Sequence, residues 1–82
     1  MAEVEAALYA YLRAHQERVC TFEELWQEVW KEAPPTTAEE RDSMRRRTQV
    51  AVSRLRKRLQ DSTGEDITSV RDQGYRLIPR RD

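Results

Sequence analysis

Met44-Arg-Arg-Arg-Thr-Gln-Val-Ala-Val-Ser-Arg-Leu-Arg-Lys-Arg-Leu59 carries seven cations and no acids, and eight residues later the chain reads Ile67-Thr-Ser-Val-Arg-Asp-Gln-Gly-Tyr-Arg-Leu77. In the first stretch Met44, Thr48, Val52, Leu55 and Leu59 recur at helical spacing and form one inward stripe. The opposite face presents Arg46, Arg47, Gln49, Val50, Ser53, Arg54 and Lys57. In the second stretch, residues 67–70 and 75–78 are β-prone. Asp72-Gln-Gly74 between them predicts a three-residue hairpin loop with Gly74 at the position needing positive φ. A cationic helix followed by a hairpin therefore closes the chain.

Upstream, the pattern is helical twice more. Val4, Ala7, Leu8, Tyr11 and Leu12 mark one apolar face of a first helix over about 3–15, with Tyr9 off that face. Arg18-Val19-Cys20 is a short extended piece. Thr21-Phe-Glu-Glu24 has the form of a capping box, in which the cap hydroxyl and the third helical carboxylate each take an orphan amide. Phe22, Leu25, Trp26, Val29 and Trp30 then define a second helix over about 22–31. Of the two indoles, Trp30 is expected to be the better buried, since a small core rarely holds both. Pro34-Pro35 breaks the chain within a loop at 32–37. Thr37-Ala-Glu-Glu40 repeats the capping-box form, so the third helix begins either near 38 or, after a separate helical turn, at Ser43, and runs to about 60. Gly64 supplies a permissive turn before the hairpin at 67–78. Pro79 ends the last strand, and Arg80-Arg-Asp82 reads as a solvated tail.

Eighty-two residues make one domain, 1–82, with a small core. A chain of this size buries only roughly 60% of its unfolded surface. The formal charge is zero, but residues 1–42 hold ten acids against four bases and residues 43–82 hold eleven bases against five acids. A polyanion feels the basic half locally, because salt screens the acidic half beyond about 8 Å. One thiol excludes an internal disulfide framework and fits a reducing, cytoplasmic compartment. No apolar run approaches the roughly 18 residues of a membrane span, and the acidic N-terminus is unlike a signal peptide.

Val50 is the residue that gives the third helix its meaning. A solvated basic face has little use for a β-branched apolar side chain among arginines, whereas a major groove offers it thymine methyls. Gln49 suits adenine and Arg54 suits guanine in bidentate pairing. Ser53 shares this base-reading face. Arg46, Arg47, Arg56 and Lys57 suit backbone phosphates, which position a protein without reading sequence. Arg71, at the junction of strand and turn, suits the negative potential of a narrow minor groove. Tyr75 either places its hydroxyl on a phosphate or packs beneath the hairpin. Taken alone, an arginine-rich face fits an acidic partner protein equally well. A protein-interaction domain, acting through the basic face or the loop between the second and third helices, is therefore the rival reading.

These motifs, Thr21 to Trp30, Val50 to Leu59 and Ile67 to Leu77, resemble the C-terminal winged helix-turn-helix effector domain of OmpR/PhoB-type response regulators. The likeness covers about residues 4–78. It implies a mainly α fold of three helices plus a C-terminal hairpin wing. It also implies sequence-specific binding to double-stranded DNA as the module of a transcriptional regulator, with the third helix in the major groove and the wing in the minor groove. Carried over by position, Arg46, Arg47, Gln49, Val50, Ser53 and Arg54 face DNA, Arg56 and Tyr75 meet phosphates, and Ser69 and Arg71 belong to the wing. RNA polymerase is the implied partner of the loop at 31–43, and an isolated domain is implied to be monomeric and to bind DNA in tandem. Residues 1–82 are expected to carry neither the family's N-terminal β-sheet nor its receiver domain. Asp72 stands where the family usually has glycine, Ala51 where it has histidine, and Gln49 where it has aspartate.

Enzyme chemistry, cofactors and metal sites are not expected. His15 is the one histidine and Cys20 the one thiol, too few for a coordinating set. His15 suits the C-terminal end of the first helix, and Cys20 suits an inert buried position. The two glycines, Gly64 and Gly74, form no phosphate-cradling loop.

Overall fold

The computed structural model describes residues 3–79; the Arg80–Asp82 tail lies outside the described residues. Its elements run α1 (Glu3–Ala14), β1 (Cys20–Thr21), α2 (Phe22–Glu28), α3 (Ala38–Ser62), β2 (Asp66–Val70) and β3 (Gly74–Ile78). The strands form one antiparallel sheet in the order β1-β3-β2. The expected fold of three helices and a hairpin wing is present, with β1 adding a third strand to the wing.

α1 carries Glu3 and Glu5 in its first turn and Arg13 in its last, the charge order that a helix dipole favours. Its buried stripe is Glu5, Leu8 and Leu12, with Tyr9 and Tyr11 half-buried beside it. Periodicity points Val4 and Ala7 inward, but both are exposed: Val4 borders a groove opposite Val50 of α3, and Ala7 one opposite Val29 and Trp30. Tyr9, expected off the core, packs against it and donates its hydroxyl to Glu65 at 2.6 Å.

The capping box of α2 is complete. Thr21 Oγ1 accepts from the Glu24 amide at 3.2 Å, and Glu24 Oε1 accepts from the Thr21 amide at 2.6 Å. The helix stops at Glu28, short of the expected 31, because Lys31 turns left-handed with φ 57°. The Glu32 amide then bonds the Trp26 carbonyl at 3.1 Å. This early stop reverses the expected order of the indoles. Trp26 keeps helical register and is 2% exposed, whereas Trp30 leaves the helix and is only half-buried. The Trp26 indole N–H donates to Thr48 Oγ1 at 2.7 Å, and that hydroxyl donates to the Met44 carbonyl at 2.8 Å. A buried polar handle is thereby satisfied by a buried threonine of α3.

α3 is one uninterrupted helix from 38. Thr37 Oγ1 accepts from the Glu40 amide at 3.1 Å, which settles its start. The return half of the box shifts by one residue: Glu40 accepts from the amide and hydroxyl of Thr36, at 2.9 and 3.2 Å. The inward stripe is Met44, Thr48, Val52, Leu55 and Leu59 as expected, joined by Ala51. Gly64 closes the helix with φ 77°, its amide on the Leu59 carbonyl at 2.8 Å.

The wing turn is Arg71-Asp72-Gln73, one residue earlier than expected, and Asp72 rather than Gly74 holds the positive φ, at 60°. Gly74 is required for another reason. A Cβ there would lie 1.9 Å from the Cys20 carbonyl oxygen, so only glycine lets β1 pair with β3 at Thr21↔Gly74.

Candidate nucleic-acid interface

α3 presents its polar face along most of its length, and the residues on that face fall on two flanks. Arg45, Gln49, Ser53 and Arg56 turn towards the wing. With Ser69, Arg71, Asp72 and the buried Phe22 and Tyr75 they line one cleft. Arg46, Arg47, Val50 and Arg54 line a separate groove on the other flank, opposite Val4 and Trp30. Lys57 is exposed, and helical spacing sets it on the crest beyond Ser53 and Arg54. The base-reading set inferred from sequence is thus divided: Gln49 and Ser53 on the wing side, Val50 and Arg54 on the far side.

The cations differ in what engages them. Arg56 Nε meets Asp66 Oδ1 at 2.6 Å, and Gln60 donates to the same oxygen at 3.2 Å. The Ile67 amide adds a bond at 2.7 Å, and the Arg56 guanidinium is the main cause that holds the Asp66 carboxyl below the usual carboxylate range. Arg47 is paired to Glu32 at 3.0 Å. Arg58 approaches the buried Glu5 carboxylate at 4.0 Å. Arg45 lies 4.9 Å over the Phe22 ring, a cation–π contact, and its Nε is buried without a hydrogen-bond partner. Among the described residues, no acid pairs with Arg46, Arg54, Lys57 or Arg71.

The cleft floor explains Tyr75. Its ring meets Phe22 edge-on at 5.5 Å and 78°, and the residue is 6% exposed. Burial raises its phenol pKa, and nearby Arg45 works in the opposite direction. The tyrosine packs beneath the wing while still lining the cleft.

Sequence reasoning gives Arg45 no role, although its i, i+4 and i+11 spacing with Gln49 and Arg56 marks the same flank. The Asp66 clamp on Arg56 and the Glu32 clamp on Arg47 have no local signal, since each joins residues from different elements. His15 sits just beyond α1 with Nδ1 2.9 Å from the Tyr11 carbonyl, and Cys20 is buried in β1. Neither lies in the cleft.

A family model described as "Transcriptional regulatory protein, C terminal" matches residues 1–77. The chain belongs to this family. As an OmpR/PhoB-type C-terminal regulatory domain it is a DNA-binding domain of a transcription regulator, from a family of regulators rather than of known enzymes. No curated protein matches the chain. No helix among the described residues of this regulatory domain is long and apolar enough to cross a membrane.

Proposed function

We propose that this domain binds duplex DNA sequence-specifically, with α3 in the major groove and the hairpin over the neighbouring minor groove. The observation that carries this reading is the cleft that joins Gln49, Ser53 and Arg45 of α3 to Ser69 and Arg71 of the wing. One side is a helix wide enough to fill a major groove. The other is an arginine on a protruding turn, suited to a narrow minor groove. Gln49, Val50, Ser53 and Arg54 read base edges. Arg46 and Lys57 hold phosphates, Arg45 and Tyr75 support the cleft from below, and Arg47 and Arg56 join only by releasing their acids.

Five cations are therefore ready to meet DNA: Arg45, Arg46, Arg54, Lys57 and Arg71. Each brings one positive charge against the duplex and displaces one condensed counterion, whether it touches a phosphate, a base edge or neither, so the log–log salt slope of binding is about −4.5. Selection from randomised duplexes, followed by anisotropy titrations at several salt concentrations, tests the reading. Arg54→Ala relaxes preference at one base pair and costs about 1–3 kcal/mol. Lys57→Ala weakens every sequence alike. A salt-independent affinity, or identical behaviour of the two variants across a panel of sites, refutes the proposal.

A further inference from the structure

Val4 and Val50 are the exposed large aliphatic residues of the described chain, 36% and 46% exposed, and both lie in one groove. Trp30 completes its apolar wall, and Ala51 lines it as well. DNA accounts for Val50 but not for Val4 or Trp30, because duplex edges and phosphates have nothing to gain from an apolar wall on α1. The groove offers a small apolar seat that a single side chain of another protein would fill.

The charges around it say what fits. Arg46 and Arg54 stand one turn before and one turn after Val50 on the same stripe of α3, and no acid pairs with either among the described residues. The rise of an α-helix places them about 12 Å apart along the axis. Glu5 also lines the groove, but its carboxylate is buried and approached by Arg58 at 4.0 Å; beyond the groove the border turns acidic at Glu3 of α1 and Glu28 of α2.

We infer that this groove docks an acidic amphipathic helix of another protein. The partner sets an apolar side chain between Val4, Trp30 and Val50. It sets carboxylates one turn before and one turn after that anchor, one on each guanidinium. Because Arg46, Val50 and Arg54 also belong to the DNA-reading face, such a partner and duplex DNA exclude each other. The docking itself stands apart from the DNA reading, and the mutual exclusion rests on it.

The probe is a synthetic helical peptide with Glu, Leu and Glu at i−4, i and i+4 and a second Leu at i+3. Trp30 is the reporter, since Trp26 is already buried. The expected result is a saturable blue shift of emission, a Val4→Ser variant at least tenfold weaker for peptide with unchanged DNA affinity, and release of the peptide by random-sequence duplex. Arg71→Ala weakens DNA binding and leaves peptide binding intact, so failure of one reading is distinguishable from failure of the other. Val4 is exposed, so its replacement leaves the core intact, which circular dichroism checks. Equal binding by a peptide with Lys in place of Glu overturns the inference. So does an unaffected Val4→Ser variant, simultaneous binding of peptide and duplex, or concentration-dependent self-association through the groove in sedimentation, which would make a second copy the occupant.

Discussion

Replacing Asp66 with asparagine should make DNA binding both tighter and more dependent on salt. In the structure Asp66 holds Arg56 through contacts of 2.6 and 3.4 Å, with the Arg56 and Asp66 side chains 52% and 39% exposed. An exposed pair of this kind is worth about 0–1 kcal/mol. Arg56 must forgo that amount to reach a phosphate. The Asp66→Asn change removes the charge but keeps an oxygen that can accept from the Ile67 amide, so the strand is left in place. A freed Arg56 neutralises one more phosphate and steepens the slope by about 0.9, from about −4.5 to about −5.4. Affinity at low salt rises by up to about fivefold, the equivalent of about 1 kcal/mol. Anisotropy titrations between low and physiological salt measure both quantities. The double variant Asp66→Asn, Arg56→Gln should return the slope to its starting value. If the single substitution leaves the slope unchanged, or the double variant stays steep, Arg56 is not the cation that Asp66 withholds.

Three further outcomes follow from the packing and the charges. Glu24, bonded by Arg18, Tyr11 and the Thr21 amide, has its carboxyl pKa lowered to about 2, chiefly by Arg18. A depressed folded-state pKa gives stability that is complete above the unfolded value and is lost as pH falls through the folded one. Thermal stability should therefore decline between about pH 4.5 and 2, and Glu24→Gln should lower the neutral-pH melting temperature and flatten that decline. Thr48→Val keeps the volume but strands the Trp26 indole N–H, and denaturant titration should show a loss of about 1–3 kcal/mol. Gly74→Ala drives a methyl into the Cys20 carbonyl; it should separate β1 from β3 and lose protection of the Tyr75 amide from hydrogen exchange, an effect that Asp72→Gly, which relieves a left-handed residue, does not share.

The parts legible in the sequence are those written in local periodicity. The inward stripe of α3, the capping box of α2 and the two β-prone runs of the wing each depend on residues within a few positions of one another. The features that escape it depend on distant partners. Glu5 is buried on α1, and Arg58, which approaches it at 4.0 Å, comes from α3. The core takes Trp26 rather than Trp30 because the chain turns left-handed at Lys31, a position without glycine or asparagine to announce it. Gly74 stands out in the sequence as a turn residue, yet its own backbone is ordinary, and the constraint comes from Cys20, far away in sequence. The candidate site follows the same rule. Helical spacing identifies the outward face of α3, but only the packing of the wing and α1 on either side divides that face between Gln49 and Val50.

Thr21 serves two elements at once, as the cap of α2 and as the strand partner of Gly74. The Phe22 amide also bonds the Gln73 carbonyl at 3.1 Å, so the first residue of the helix is tied to the last residue of the wing turn. The hairpin is therefore geared to α2 and does not swing as a free arm. In the proposed complex, a push on the wing tip is delivered at the mouth of α2, which the Trp26–Thr48 bond ties to α3. The proposed major-groove and minor-groove contacts are in this way mechanically coupled through two residues of strand.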